Sequence, residues 1–253
     1  MKVVATIEAR MAASRLPGKV MRELMGRPVL HRVVERISQA KSVDEVVVAT
    51  SVNSGDDVIA SYCRANGISH YRGSKDDVLG RVVEAAVEFG GEVIVQLGGD
   101  NPFYDPDIID HLVDIYRKGD FDYVCNDLEL TYPNGVEVHV VSLETLKSVV
   151  ARTADRLDHE DVVRYIWEHP EQYRIKNVSA PKELCAPDVR LTLDYEEDYT
   201  VIVKVFEALY PENPDFRTVD ILDYLASHPG VKDINAHCEQ KSAPYVSQEK
   251  AGS

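Results

Sequence analysis

The chain has 253 residues, 44% of them hydrophobic and 28% charged, so it is long and apolar enough to bury a full core and is no disordered polymer. Its 43 acidic residues outnumber 28 Lys and Arg, for a formal net charge of -15. That balance argues against a general binder of nucleic acid or of an anionic membrane, since both are polyanions. An anionic small molecule remains possible where local cations or a bridging metal gather.

Taken in chain order, residues 3–7 are a short apolar run that breaks into a polar loop, 8–18, holding Gly and Pro. This predicts a buried strand feeding a functional loop. Pro28 then opens a helix in which Val29, Val33 and Ile37, with Leu30 and Val34, recur at helical spacing. EVVVATS predicts a second buried strand and DDVIASYCRANG a helix ended by Gly67. ISHYR is a short strand or edge, DDVLGRVVEAAVEFG a helix, and EVIVQLGG a third strong strand. DPDIIDHLVDIYRKG has acids in its first turn and Gly at its end, as a helix should. FDYVCN is another strand. Strands separated by helices of roughly 10–15 residues imply a mostly parallel sheet covered on both faces.

Beyond residue 126 the rhythm changes. NDLELTYPNGVEVHVVS predicts a hairpin or β-arm turning at Pro133-Asn134-Gly135. Helices follow near SLETLKSVV and HEDVVRYIWEH, then a strand, VRLTLD, that stops on an acidic cluster. Two helices, YTVIVKVFEALY and TVDILDYLASH, close the fold, and the tail from about Ser242 is expected to be weakly ordered. The expectation is one α/β domain over 1–253 with an inserted arm at about 128–185.

The four cysteines (Cys63, Cys125, Cys185, Cys238) are far apart without a Cys-x-x-Cys pair, so neither zinc nor a disulfide framework is indicated. The opening apolar run is too short for a signal peptide, and no stretch approaches the roughly 20 apolar residues of a membrane span. A cytoplasmic protein with reduced thiols is expected.

Open α/β sheets bind ligands at the carboxyl ends of their strands, and polar clusters are predicted there. After the first strand come Ala9, Arg10, Ser14, Arg15 and Lys19. Three cations, one hydroxyl and small residues suit a triphosphate, because guanidinium forks match phosphate oxygens and Lys adds a point charge. Neither the Walker nor the G-x-G-x-x-G spacing is present, and a solvated basic loop is the plain alternative. Asp100, in Gly98-Gly99-Asp100-Asn101-Pro102, is placed as a Mg²⁺ ligand, since Asp105 or Asp107 is better suited to cap the following helix. Asp194 heads Tyr195-Glu196-Glu197-Asp198; on these residues alone a helix cap is the preferred reading over a second metal ligand. Ser74, Asp77 and Arg81 begin a well-capped helix.

These residues carry a resemblance. EARMAASRLPGKVM resembles the x-A-R-x-x-S-x-R-L-P-x-K loop of the cytidylyltransferases that activate sugar acids, and the chain is most similar to the spore-coat polysaccharide biosynthesis protein F family within that group. GSKDDVLGR, GGDNPFYDP, YPNGVEVHVVS, DHEDVVRYI and VRLTLDYEEDY look like the later blocks, in order, over about residues 1–225. The resemblance implies a glycosyltransferase-A-like Rossmannoid fold and transfer of a nucleotidyl group from an NTP, CTP favoured, with pyrophosphate leaving. It implies that Arg10, Ser14, Arg15 and Lys19 hold the triphosphate, with Lys19, Arg15 and Asp100 as the catalytic set. Asp100 and Asp194 would bind Mg²⁺, and Ser74, Asp77 and Arg81 would lie near base or ribose. A homodimer is expected, because the apolar arm VEVHVV needs a partner surface and relatives pair through theirs.

Departures from the pattern gather in the acceptor half. Glu8 stands where the close family usually has Gln, His139 where Glu is common, and His159 and Asp161 replace Arg and His of a D-R-E-H-V-T-P block in which Glu160 is retained. Glu137, His139, His159 and Glu160 are the expected acceptor contacts. The changes imply either drift at a structural arm or a small anionic acceptor other than the common sugar acids, such as an unusual sugar, a sugar phosphate or a phosphonate. A nucleotide sensor without catalysis is the rival reading. A glycosyltransferase is disfavoured, because no convincing Asp-x-Asp metal pair is present.

Overall fold

The computed structural model describes residues 1–239, so the expected tail from Ser242 lies outside the described residues. The chain lays down β1 (Val3–Glu8), a small ribbon of β2 (Glu23–Leu24) and β3 (Arg27–Pro28), α1 (Val29–Ile37), β4 (Glu45–Ser51), α2 (Asp57–Ala65), β5 (His70–Gly73), α3 (Val78–Glu88), β6 (Val93–Gly98) and α4 (Pro106–Lys118). Then come β7 (Tyr123–Cys125), β8 (His139–Ser142), α5 (Leu143–Arg152), α6 (Arg156–Glu160), α7 (Arg164–Glu168), β9 (Ile175–Asn177), α8 (Glu196–Leu209), α9 (Thr218–Ser227) and α10 (Pro229–Lys232).

The main sheet has seven strands in the order β5-β4-β1-β6-β8-β7-β9. Strand β8 runs antiparallel to both neighbours, β6 and β7, and the other pairings are parallel. Alternate residues of a strand point to opposite faces, and both faces are apolar. Val3, Ala5 and Ile7 of β1 join a core with α1, α4 and α8, whereas Val4 packs with Val47, Ala49 and Ala85 on the other side. Ile94 of β6 meets a second cluster containing Leu79, Leu146, Ile166 and Trp167. Each such aliphatic side chain contributes about 1.5–3 kcal/mol on burial. The expected mostly parallel, doubly covered α/β sheet is what forms.

Three local expectations are corrected. Residues 136–141 do not project as an arm: Val136, Val138 and Val140 are at most 1% exposed, and β8 sits inside the sheet. These valines already have partners within the chain, so the apolar-arm argument for a homodimer falls. The segment VRLTLD forms no strand; Leu191 N–H donates to Asn134 O and Leu193 N–H to Asp100 O, two different loops, with an isolated bridge at Arg190. HEDVVRYIWEH divides into α6 and α7 because Val162 and Val163, 1% and 4% exposed, turn inward at the break. All four cysteines carry free thiols.

Candidate active site at the carboxyl ends of the strands

A cleft of about 280 Å³ opens where β1 and β6 end. Its walls are Glu8, Ala9, Arg10, Ala13, Ser14, Arg15, Lys19, Val20, Val78, Arg81, Gly98, Asp100, Glu160 and Asp194.

The loop after β1 is shaped by its own backbone. Met11 O accepts from Ala13 N–H at 3.0 Å and Gly18 N–H at 2.8 Å, while Met11 N–H donates to Asp56 Oδ1 at 2.7 Å. Gly18 closes the turn at φ +74°, a conformation that favours a residue without Cβ, and Lys19 begins a short 3₁₀ turn. Leu16, 8% exposed, pins the loop to the core. Arg15 lies over the Tyr195 ring, 5.2 Å from its centre. This aims Arg10, Ser14, Arg15 and Lys19 at one cleft.

Asp100 arrives from β6. Gly99 N–H donates to Glu8 O at 2.8 Å, and a Cβ at Gly99 would sit 2.8 Å from that oxygen, so glycine lets the two strand ends approach. Asp194 arrives from the extended segment whose Leu193 N–H is tied to Asp100 O at 3.0 Å. The cap of α8 belongs elsewhere: the Asp198 carboxylate accepts from Asp194 N–H at 2.8 Å and Tyr195 N–H at 3.0 Å. The residue-only preference for Asp194 as cap is therefore wrong, and its side chain is free to face the cleft.

There the two carboxylates meet one cation. Lys19 Nζ donates to Asp100 Oδ2 at 2.5 Å and to Asp194 Oδ1 at 2.8 Å, and Arg15 Nη2 reaches Asp194 Oδ1 at 2.8 Å. Arg190 Nη2 holds the second Asp194 oxygen at 3.1 Å and also binds Asp198, which is fully buried. Burial alone would raise the Asp194 carboxyl, but Lys19, then Arg15 and Arg190, outweigh it and hold it below the ordinary value. Burial alone would likewise lower the Lys19 ammonium, yet Asp100 and Asp194 raise it.

Two carboxylates converging on one positive charge match what Mg²⁺ takes from a protein, with phosphate oxygens and water filling its remaining positions. Among the described residues, no group of three or more His, Cys, Asp or Glu is placed to hold a metal unaided. An ion there would depend on the nucleotide as well as the chain.

The other expected residues divide. Arg81, 2% exposed, lines the cleft and donates from Nη1 to Ser74 O at 2.5 Å. Ser74 and Asp77 are not in its wall: Ser74 Oγ accepts from Asp77 N–H at 3.0 Å, and Asp77 caps α3 by accepting from Gly80 N–H at 2.7 Å. Of the acceptor candidates, Glu160 alone reaches the wall, with Arg156 Nε 3.0 Å from its carboxylate. His159 is spent clamping α6 to α3, through Asp77 Oδ1 at 2.7 Å and Thr153 O at 3.1 Å. His139 Nδ1 pairs with the Tyr123 hydroxyl at 2.6 Å. Glu137 accepts from Gly135 N–H at 2.8 Å and Asn134 Nδ2 at 3.0 Å, holding a turn. Glu137, His139 and His159 thus face their own scaffold, and the structure does not bring them to the cleft.

Sequence reasoning missed Arg190 as the support of Asp194. The signal was present, since alternate residues of an extended segment, 190, 192 and 194, share a face. Glu8, noted only as a departure, is a wall of the cleft and keeps one carboxylate oxygen 2.6 Å from Gln96 Nε2.

Comparison with known proteins places the chain in a family. The sequence profile of the cytidylyltransferase family matches residues 4–247. The chain is 33% identical over 235 residues to the spore coat polysaccharide biosynthesis protein SpsF of Bacillus subtilis, covering 90% of this chain and 95% of that one. It is 39% identical over 115 residues, 45% of this chain and 44% of the relative, to a 3-deoxy-manno-octulosonate cytidylyltransferase of Geobacter sulfurreducens. A solved cytidylyltransferase from Leptospira borgpetersenii superposes with a TM-score of 0.86 at 29% identity, covering 92% of this chain and 97% of the other.

Proposed function

The chain belongs to the cytidylyltransferase family, and from that premise we propose that it transfers CMP from CTP to an oxygen of a small anionic acceptor of the sugar-acid kind, with release of pyrophosphate and dependence on Mg²⁺. The observation that carries this reading is the convergence of Asp100 and Asp194 on Lys19 Nζ, at 2.5 and 2.8 Å, beneath the loop bearing Arg10 and Arg15. A triphosphate with its counter-ion is the substrate whose charges complement that set of groups.

In the reaction, an acceptor hydroxyl oxygen attacks the α-phosphorus in line, one O–P bond forms, the bond to the leaving pyrophosphate breaks, and the hydroxyl proton is released to water. Charge grows on the phosphoryl and pyrophosphate oxygens, so positioning and neutralisation are the protein's main tasks. Arg15 and Lys19 take the leaving β- and γ-phosphates and Arg10 the α-phosphate. Ser14 adds a hydroxyl, and the Ala9 backbone lies close beside them. Asp100 and Asp194 are the residues that would hold a Mg²⁺, which would supply Lewis-acid stabilisation of the phosphate oxygens. Arg190 keeps Asp194 aimed while Lys19 exchanges its carboxylate partners for phosphate oxygens. The Asp100→Asn variant tests the scheme: pyrophosphate release from CTP with an acceptor panel should fall by about 100-fold or more, with thermal unfolding unchanged within a few degrees. Full turnover in that variant would rule the assignment out.

A further inference from the structure

Two helices share a wall of the cleft: Val78 and Arg81 come from α3 and Glu160 from α6. Helix α6 has only five residues, and its one large apolar side chain, Leu157, is 54% exposed, so burial does little to hold it. Polar contacts hold it instead. Asp158, 5% exposed, accepts from Thr153 Oγ1 at 2.6 Å and from Arg164 Nη1 at 2.8 Å, tying α6 to the end of α5 and to α7. The tie to α3 falls to His159, whose ring makes the one hydrogen bond between α6 and the capped start of α3 among the described residues.

That ring stands between two acceptors. Nδ1 is 2.7 Å from Asp77 Oδ1, and Nε2 is 3.1 Å from Thr153 O. A backbone carbonyl oxygen can only accept, and Asp77 Oδ1 already accepts from Gly80 N–H at 2.7 Å. Neutral imidazole has a single N–H, so both bonds are made only by the imidazolium. We infer that His159 is a positioning residue that works as a proton-dependent latch: charged, it pins α6 to α3 and to the end of α5 and so sets Glu160 in the cleft wall; neutral, it gives up one of its two bonds and that wall loosens.

The surroundings favour the charged form. The hydrogen bond to Asp77, then that to the Thr153 carbonyl, raises His159 above the ordinary histidine value, against a smaller opposing effect of burial. Asp158 adds to the rise, although Arg164 pairs with it. Arg81 is the cation that faces Asp77 from α3, and Arg152, at the end of α5, is turned to Gln172 at 3.0 Å. A histidine raised on folding stabilises the fold fully at low pH and loses that contribution as pH rises through its folded value. The latch is therefore shut in acid and opens at a midpoint above about pH 6.5. This goes beyond the nucleotidyl-transfer reading and does not depend on it, since no nucleotide enters the test.

The test follows the His159 ring by NMR and the backbone of α6 by amide hydrogen exchange, from about pH 5.5 to about pH 9, in wild type and in Asp77→Asn. Asparagine still caps α3 but removes the charge. In wild type both ring nitrogens should carry protons at the acid end. The amides of His159 and Asp161, which donate to Asp155 O and Leu157 O, should exchange about tenfold faster once the ring is neutral, after correction for the intrinsic pH dependence. Asp77→Asn should move the ring's midpoint and the exchange midpoint to lower pH together. A ring that titrates at or below the ordinary value, or exchange in α6 that takes no notice of the ring's midpoint, overturns the latch. So does an Asp77→Asn variant in which the two midpoints part or neither moves, and each of these results leaves the reading of the cleft as a nucleotide site standing.

Discussion

Glu137 shows what burial does to a carboxyl that has hydrogen-bond donors but, among the described residues, no ion-pair partner. Burial pushes it up to about 7, even though Gly135 N–H lowers it, and Glu8 is raised to about 7 for the same first reason. Asp194 is also buried, yet three cations depress it, so neighbouring charge decides between the two outcomes. The sign for stability follows from linkage. A carboxyl whose folded value lies above the unfolded 4.5 binds its proton more tightly when folded, so its stabilisation is full at low pH and lost as pH rises towards 7. Ligand-free protein should therefore lose thermal stability between about pH 5 and pH 7.5, and Glu137→Gln should flatten that slope by up to roughly 3 kcal/mol. Thermal unfolding across the pH series reads this directly; a slope identical in wild type and Glu137→Gln would contradict it. The sequence marked Glu137 as a polar residue in an alternating run but not the direction it faces, because that depends on a turn closed by Asn134 and Gly135.

At the scale of elements, the site depends on a segment with no regular secondary structure. Residues 190–194 cross from the Asn134 loop to Asp100, and Gly135 is the pivot: its φ is +108°, and a Cβ there would lie 2.5 Å from Thr192 N. Gly135→Ala is expected to cost about 2–3 kcal/mol and to displace Asp194 from Lys19, lowering turnover as well as melting temperature. A variant with wild-type stability and turnover would show that the crossing is not held there. The strong strands and helices up to α4 were legible because their apolar spacing is set by local geometry: Val29, Val33 and Ile37 mark one helix face wherever the helix packs. The loop from Ala9 to Lys19 was legible from its chemistry. The fate of VRLTLD was not, since an alternating run does not say whether its hydrogen bonds go to a ladder or to two loops. Nor did the sequence distinguish Asp194 from Asp198 as the cap, because both precede or begin the same helix and only the fold shows which carboxylate turns back.

Across the whole molecule, the order of strands gathers the chemistry. β1 and β6 are neighbours although 84 residues separate the end of β1 at Glu8 from the start of β6 at Val93 in a chain of 253, roughly a third of its length, and Asp194 is brought in from beyond β9. A protein with a formal net charge of -15 places Arg10, Arg15 and Lys19 in one cleft and sets two carboxylates against them. The proposed function requires that this cleft bind CTP as its metal complex, with Asp100 and Asp194 contributing to the ion. The most direct measurement is calorimetric titration of CTP with and without Mg²⁺, on wild type and on the Asp100→Asn, Asp194→Asn double variant. Wild type should bind CTP about tenfold or more tighter with Mg²⁺ than without, and the double variant should lose that gain. Equal affinity with and without the ion in wild type, or the full gain retained in the double variant, would contradict a metal-bridged nucleotide at Asp100 and Asp194.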